Sequence, residues 1–92
     1  MTLTEIRNER NRTRLKTSRW HELNKMEGDR IAEINVKHGG ESNPHHGKLY
    51  HRSKAEEFRI KSQSKTLPAY LKRSHSLKMQ AHHERIAAAM EE

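Results

Sequence analysis

Six cations fall between Arg7 and Arg19, namely Arg7, Arg10, Arg12, Arg14, Lys16 and Arg19, and within that stretch only Glu9 opposes them. Five of the six are arginines, whose planar guanidinium grips phosphate bidentately and stacks on bases as an ammonium does not. On a helical wheel Arg7, Arg10 and Arg14 lie on one side, with Arg12, Lys16 and Arg19 nearly opposite. A helix through them is basic on both flanks and suits a groove with phosphates on each wall. Trp20 follows Lys16 by one turn on the same face. Its indole has two readings, a platform for an unpaired base or a core residue beside Leu23 and Ile31, which share its arc.

A second basic field runs from Lys48 to Lys78. Lys48, Arg52, Lys54, Arg59, Lys61, Lys65, Lys72, Arg73 and Lys78 face only Glu56 and Glu57 there. Tyr50 and Tyr70 are interleaved with these cations, as stacking groups are in nucleic-acid binders, and with Phe58 they are also the aromatics available for a second small core; Phe58 reads as core and Tyr50 fits either role.

Eight histidines raise metal binding as a further chemistry, above all His38, His45, His46 and His51 around the centre and His75, His82 and His83 near the end. No pair has the i, i+4 spacing that places two imidazoles on one helical face, and no HExxH or Cys/His pattern occurs. The expectation is therefore no metal, no cofactor and no catalytic residues, with histidines that are solvated or touch phosphate. Their titration near pH 6.5 predicts tighter polyanion binding in mild acid. Gly39–Gly47, GGESNPHHG, lacks the Gly-Lys-Ser/Thr ending of a phosphate loop, and an enzyme is not expected.

The elements that must position these groups are helical. Thr2 and Glu5 have capping-box spacing, and Leu15, Met26, Leu23, Ile34, Trp20, Ile31 and Ile6 fall within an arc of about 180°. The reading is all-α: a long N-terminal helix from Leu3 to His38, continuous or broken near Gly28, then a Gly/Pro/His loop, then two or three shorter helices. Lys37 and His38 followed by Gly39-Gly40 mark a helix end with a left-handed turn. Ser53 and Glu56 form a second capping box ahead of a short helix to about Gln63. Residues 62–66 read as linker, Pro68 as the first position of a short turn through Tyr70 and Leu71, and Ser74 or Ser76 as the cap of a last helix to Met90. The chain thus divides into a basic helical segment 1–38, a loop 39–47 and a basic helical segment 48–92.

Leu, Ile, Val and Phe make up 14 of 92 residues, a share at which a highly charged chain struggles to order itself without a second surface. The core is expected to be small and the fold extended or partner-dependent. Cysteine is absent, which excludes disulfides and thiolate chemistry. No apolar h-region and no apolar run of membrane-spanning length is found, so the expected setting is intracellular, in the cytoplasm. A net charge of +7 favours an acidic partner.

The stretch from Glu5 to Asn24, EIRNERNRTRLKTSRWHELN, resembles the arginine-rich RNA-binding helix of the lambdoid phage N antitermination proteins. The shared features are a run of arginines near the N-terminus, an embedded Glu and a following aromatic. The resemblance implies that Arg7, Glu9, Arg10, Arg12 and Arg14 contact the backbone of a small RNA hairpin and that Trp20 stacks on it. It also implies that the remainder of the chain binds RNA polymerase and its elongation factors.

The expected function is a small regulatory nucleic-acid-binding protein, RNA before DNA. Its site would be Arg7, Arg10, Arg12, Arg14, Lys16, Arg19 and Trp20, supported by Lys48, Arg52, Lys54, Arg59, Lys61, Lys72 and Arg73. The alternative is a phage-type inhibitor or adaptor that docks on an acidic surface of a larger machine such as RNA polymerase. A third reading is self-assembly into a homodimer through Met79, Ile86 and Met90 of the last helix.

Overall fold

A computed structural model describes residues 1–63 and 69–92, with side chains described outside 64–72. The described residues form helices α1 (Leu3–Arg12), α2 (Ser18–Lys37), α3 (Lys48–Ser62) and α4 (Ala69–Ala89), and no strand. The chain is all-α. Residues 64–66 of the expected linker, Pro68, and the side chains of Lys65, Tyr70, Leu71 and Lys72 lie outside the described residues.

The capping box at the start of α1 is present, the Thr2 hydroxyl accepting the Glu5 N–H and the Glu5 carboxylate accepting the Thr2 N–H. The helix expected from Leu3 to His38, whether continuous or broken near Gly28, is not. It breaks between Thr13 and Thr17, and Gly28 lies inside α2. Threonine chemistry accounts for the position of the break, because short hydroxylic side chains compete for backbone groups. The Thr13 hydroxyl donates to Glu9 O at 2.7 Å while its own backbone turns extended. Thr17 caps α2 by accepting the Trp20 N–H at 3.3 Å. The break lets α1 fold back along α2 and bury Leu3 and Ile6, 0% and 2% exposed, which an unbroken rod would leave in water. Leu15, expected on the apolar face, is instead 72% exposed in the turn. Gly28 serves packing: a Cβ there would lie 3.1 Å from Pro44 Cβ, so its bare backbone admits the loop.

After α2 the chain turns at Gly39, whose φ of 82° is the left-handed conformation that glycine adopts without cost. α3 begins at Lys48, not at the expected Ser53. Its inner face carries His51, Ala55 and Ser62, all buried, and this face needs the extra turn before Ser53. α4 likewise passes through Ser74 and Ser76, the expected caps, without interruption. Packing along α3 stabilises α4 where local propensity would have started it later.

Two helical hairpins result, α1–α2 and α3–α4, joined at their open ends. Leu3, Ile31, Ile34, Ile86 and Met90 form the joint, with Ala89 against them. Ile86 and Met90 are 0% and 1% exposed, which removes them from the dimer surface expected for α4. Glu92 fastens the same joint: it accepts from Arg30 at 2.7 and 2.6 Å and from the Leu3 N–H at 3.1 Å. These bonds hold its carboxyl down to about 2. The molecule measures 53 × 22 × 18 Å with a radius of gyration of 16.4 Å, against about 12 Å for a compact chain of this length. Helices α2 and α4, each about 30 Å long, overlap only near the joint.

Candidate functional site

Folding redistributes the charge that was counted along the sequence. Arg7 and Arg10 of α1 pair with Glu27 of α2 at 2.9 and 2.7 Å, and Arg10 also donates to Asn24 Oδ1 at 3.0 Å. Arg19 pairs with Glu9 at 2.5 Å and Glu22 at 3.2 Å. Lys48 and Arg52 share Glu91 at 2.7 and 3.0 Å, Lys54 and Lys61 share Glu57 at 3.3 Å each, and Arg59 pairs with Glu56. The count within Arg7–Arg19 missed Glu22, one turn beyond Arg19 in α2, and Glu27, which α2 brings back against α1. Arg73 donates to Ser62 O at 3.2 Å, and the Lys72 side chain lies outside the described residues. Within the Arg7–Arg19 cluster, only Arg12, Arg14 and Lys16 have no acidic partner among the described residues. All three are exposed on the α1–α2 turn.

The turn is held open from within. The Thr17 hydroxyl donates to Arg14 O at 2.8 Å, and Arg12 Nε donates to Asn8 O at 3.2 Å, aligning its side chain along the end of α1. Lys16 adopts φ 62°, a left-handed conformation costing a non-glycine residue on the order of 1 kcal/mol. It sets Arg14, Leu15 and Lys16 outward. Trp20, in the first turn of α2, is half-buried, its ring edge-on to His21 with centroids 5.1 Å apart. The single helix, basic on both flanks, is thus replaced by a cationic hairpin tip.

A second constellation lies at the joint, and sequence reasoning did not assemble it. Asn35 of α2, His51 of α3 and His83 of α4 are 0%, 2% and 7% exposed. They form one hydrogen-bonded chain. Asn35 Nδ2 donates to the carbonyls of Asn43 and His46 at 3.2 and 3.0 Å, Asn35 Oδ1 meets His51 Nε2 at 2.5 Å, and His51 Nδ1 meets His83 Nδ1 at 2.8 Å. Burial, then repulsion from the imidazoles of His83, His46 and His82, lowers His51 to about 4. Burial, then His82 and Lys54, lowers His83 as well. These two imidazoles are uncharged at neutral pH, so the expectation that the histidines are solvated and add positive charge in mild acid does not hold for them. The available signal was polar residues at core spacing, Asn35 after Ile31 and Ile34, and His83 in one stripe with Ile86 and Met90.

Beside this chain opens a cavity of about 430 Å³, bounded by the Gly39–Gly47 loop, α3 and α4. His46 stacks on Tyr50 with centroids 3.8 Å apart, and Phe58 on His83 at 5.8 Å. Glu41, Lys54 and His82 complete the polar lining. Among the described residues no group of three or more His, Asp or Glu is arranged to hold a metal ion, and no helix is long and apolar enough to cross a membrane. Comparison of the chain with protein-family models, curated proteins and solved structures gave no match.

Proposed function

We propose that this chain is a small regulatory nucleic-acid-binding protein, RNA favoured over DNA, that docks through the α1–α2 turn. The observation that carries the reading is the exposure of Arg12, Arg14 and Lys16 at one hairpin tip without an acidic partner among the described residues, while the neighbouring Arg7, Arg10 and Arg19 are tied to glutamates. Three cations on a protruding turn contact phosphates without the cost of breaking an internal ion pair, and half-buried Trp20 offers an edge for an unpaired base. The stretch that resembles the phage N helix contributes its middle, not its whole length, to this surface.

The test is the salt dependence of binding to a single-stranded RNA, measured by fluorescence anisotropy. Each phosphate contact on a single strand contributes about 0.7 to the slope of log affinity against log salt, so the triple variant R12Q/R14Q/K16Q lowers the slope by about 2. The same arithmetic gives a loss of about 100-fold at 0.1 M salt. R7Q/R10Q, which removes paired arginines, changes affinity far less. Absence of RNA and DNA binding at low salt, or equal losses in the two variants, overturns the reading. Retention of a protein partner after nuclease treatment instead supports docking on an acidic protein surface.

A further inference from the structure

The hydrogen atoms of the buried chain are determined by its own geometry. Both Asn35 Nδ2 hydrogens go to backbone carbonyls, so Asn35 Oδ1 is an acceptor and His51 Nε2 carries the proton between them. An uncharged His51 then has a bare Nδ1, which accepts from His83 Nδ1–H. An uncharged His83 in turn has its lone pair on Nε2. Among the described residues that nitrogen has no hydrogen-bond partner, and no side-chain nitrogen there is both sealed and unpartnered. It opens on the cavity, which His83 lines. An imidazole held through Nδ1–H by a buried polar partner, with Nε2 free, is the arrangement of a proton acceptor.

What the cavity lacks narrows its chemistry. Its lining holds no Ser, Thr or Cys and a single carboxylate, Glu41, so acyl transfer through an aliphatic hydroxyl or a thiol and paired-carboxylate hydrolysis have no residues to run on. It does hold an imidazole base, a second imidazole at His82 with ring centroids 5.2 Å from His83, and the Lys54 ammonium. That set suits a substrate that brings its own nucleophile and develops negative charge at phosphorus.

We propose that this cavity cleaves RNA by internal transesterification, with His83 as proton acceptor and His82 as proton donor. The proposal rests on RNA being the bound polymer. His83 Nε2 takes the proton of a ribose 2′-hydroxyl, and the 2′-oxygen forms a bond to the adjacent phosphorus. The bond from phosphorus to the 5′-oxygen breaks, its electron pair staying on that oxygen, which takes a proton from protonated His82. The products are a 2′,3′-cyclic phosphate and a 5′-hydroxyl end. One proton has passed from His82 to His83 by way of substrate, and water returns it. Lys54, exchanging its pairing with Glu57, neutralises the non-bridging oxygens. His51 and Asn35 touch no substrate and are positioning residues.

The experiment incubates purified full-length protein with an end-labelled RNA oligonucleotide, in chelator, and identifies product ends. A matched oligonucleotide with 2′-O-methyl riboses is the control, and RNA binding is measured in parallel. Cleavage to cyclic phosphate is expected on RNA and not on the methylated strand. A loss of at least 100-fold is expected in H83Q and in H82A, with RNA affinity unchanged. H83Q is chosen because the glutamine amide still donates to His51 Nδ1, and thermal unfolding checks its fold. H51Q presents an amide N–H to Asn35 and an amide oxygen to His83 and is expected to retain cleavage with a shifted pH profile. Intact RNA after incubation with wild-type protein, or undiminished cleavage in H83Q, overturns the proposal. Intact RNA that is nonetheless bound leaves the binding reading standing, and intact RNA that is not bound removes both.

Discussion

Acidification has a specific expected effect on this fold, and its size follows from the buried histidine chain. The His51 imidazole falls from 6.5 to about 4 on folding, so the folded state binds fewer protons than the unfolded one. Stability is then fully present above 6.5, declines as pH falls, and levels off below about 4. At 1.36 kcal/mol per unit, His51 alone removes about 2 kcal/mol by pH 5 and about 3 kcal/mol by pH 4. A chain of this size has total stability on the order of 5 to 14 kcal/mol. His83 shifts in the same direction and adds to the loss. The chain can take one proton at His83 Nε2 and keep its bridge; a second, on His51 Nδ1, sets two N–H groups against each other and breaks the His51–His83 bond between α3 and α4. The lowered carboxylates Glu56, Glu57, Glu91 and Glu92 also lose stabilisation in acid, but below their ordinary 4.5. The interval from pH 6.5 to 5 therefore belongs to the imidazoles. Urea unfolding of wild type and H51Q across that interval is the assay, with the wild type weakening by about 2 kcal/mol and H51Q by clearly less. Parallel curves for the two proteins, or a wild type indifferent to pH above 5, refute the reasoning.

Three other outcomes are expected. E27Q releases Arg7 and Arg10 from their shared partner: it costs about 1 kcal/mol of stability and steepens the salt slope of RNA binding by up to about 1.4, whereas weaker binding argues against the cationic tip. L3A removes a side chain that is 0% exposed and ties α1 to α4, and denaturation is expected to show a loss of about 2 to 5 kcal/mol, the range of buried leucine truncations; a loss far smaller places α1 outside the core. G40A adds a Cβ at 3.1 Å from Asn35 O and 3.4 Å from Ile86 Cδ1, costing about 1 to 3 kcal/mol and shifting the His51 ring signals in an NMR spectrum, which a neutral site would leave unmoved.

Much of the local structure was legible because its causes are local. Thr2 and Glu5 cap α1 within one turn, Gly39 takes the left-handed turn expected of it, and the spacing of Ile31 and Ile34 marks a buried face. The break at Thr13–Thr17 was not legible, since threonines inside a basic run read equally well as helix interior. Only the gain from folding α1 onto α2 decides between the two.

The site divides in the same way. Composition determined that the chain is basic, helical and without thiol chemistry, because net charge, periodicity and cysteine content are properties of the residues themselves. Which cations remain available was decided mainly by tertiary structure, since Glu27 and Glu91 reach arginines and lysines that a window along the sequence cannot pair with them. The tertiary structure likewise joined Asn35, His51 and His83. Separated by 16 and 32 residues, they acquire a shared proton chain and lowered basicity only where three helices meet and exclude water.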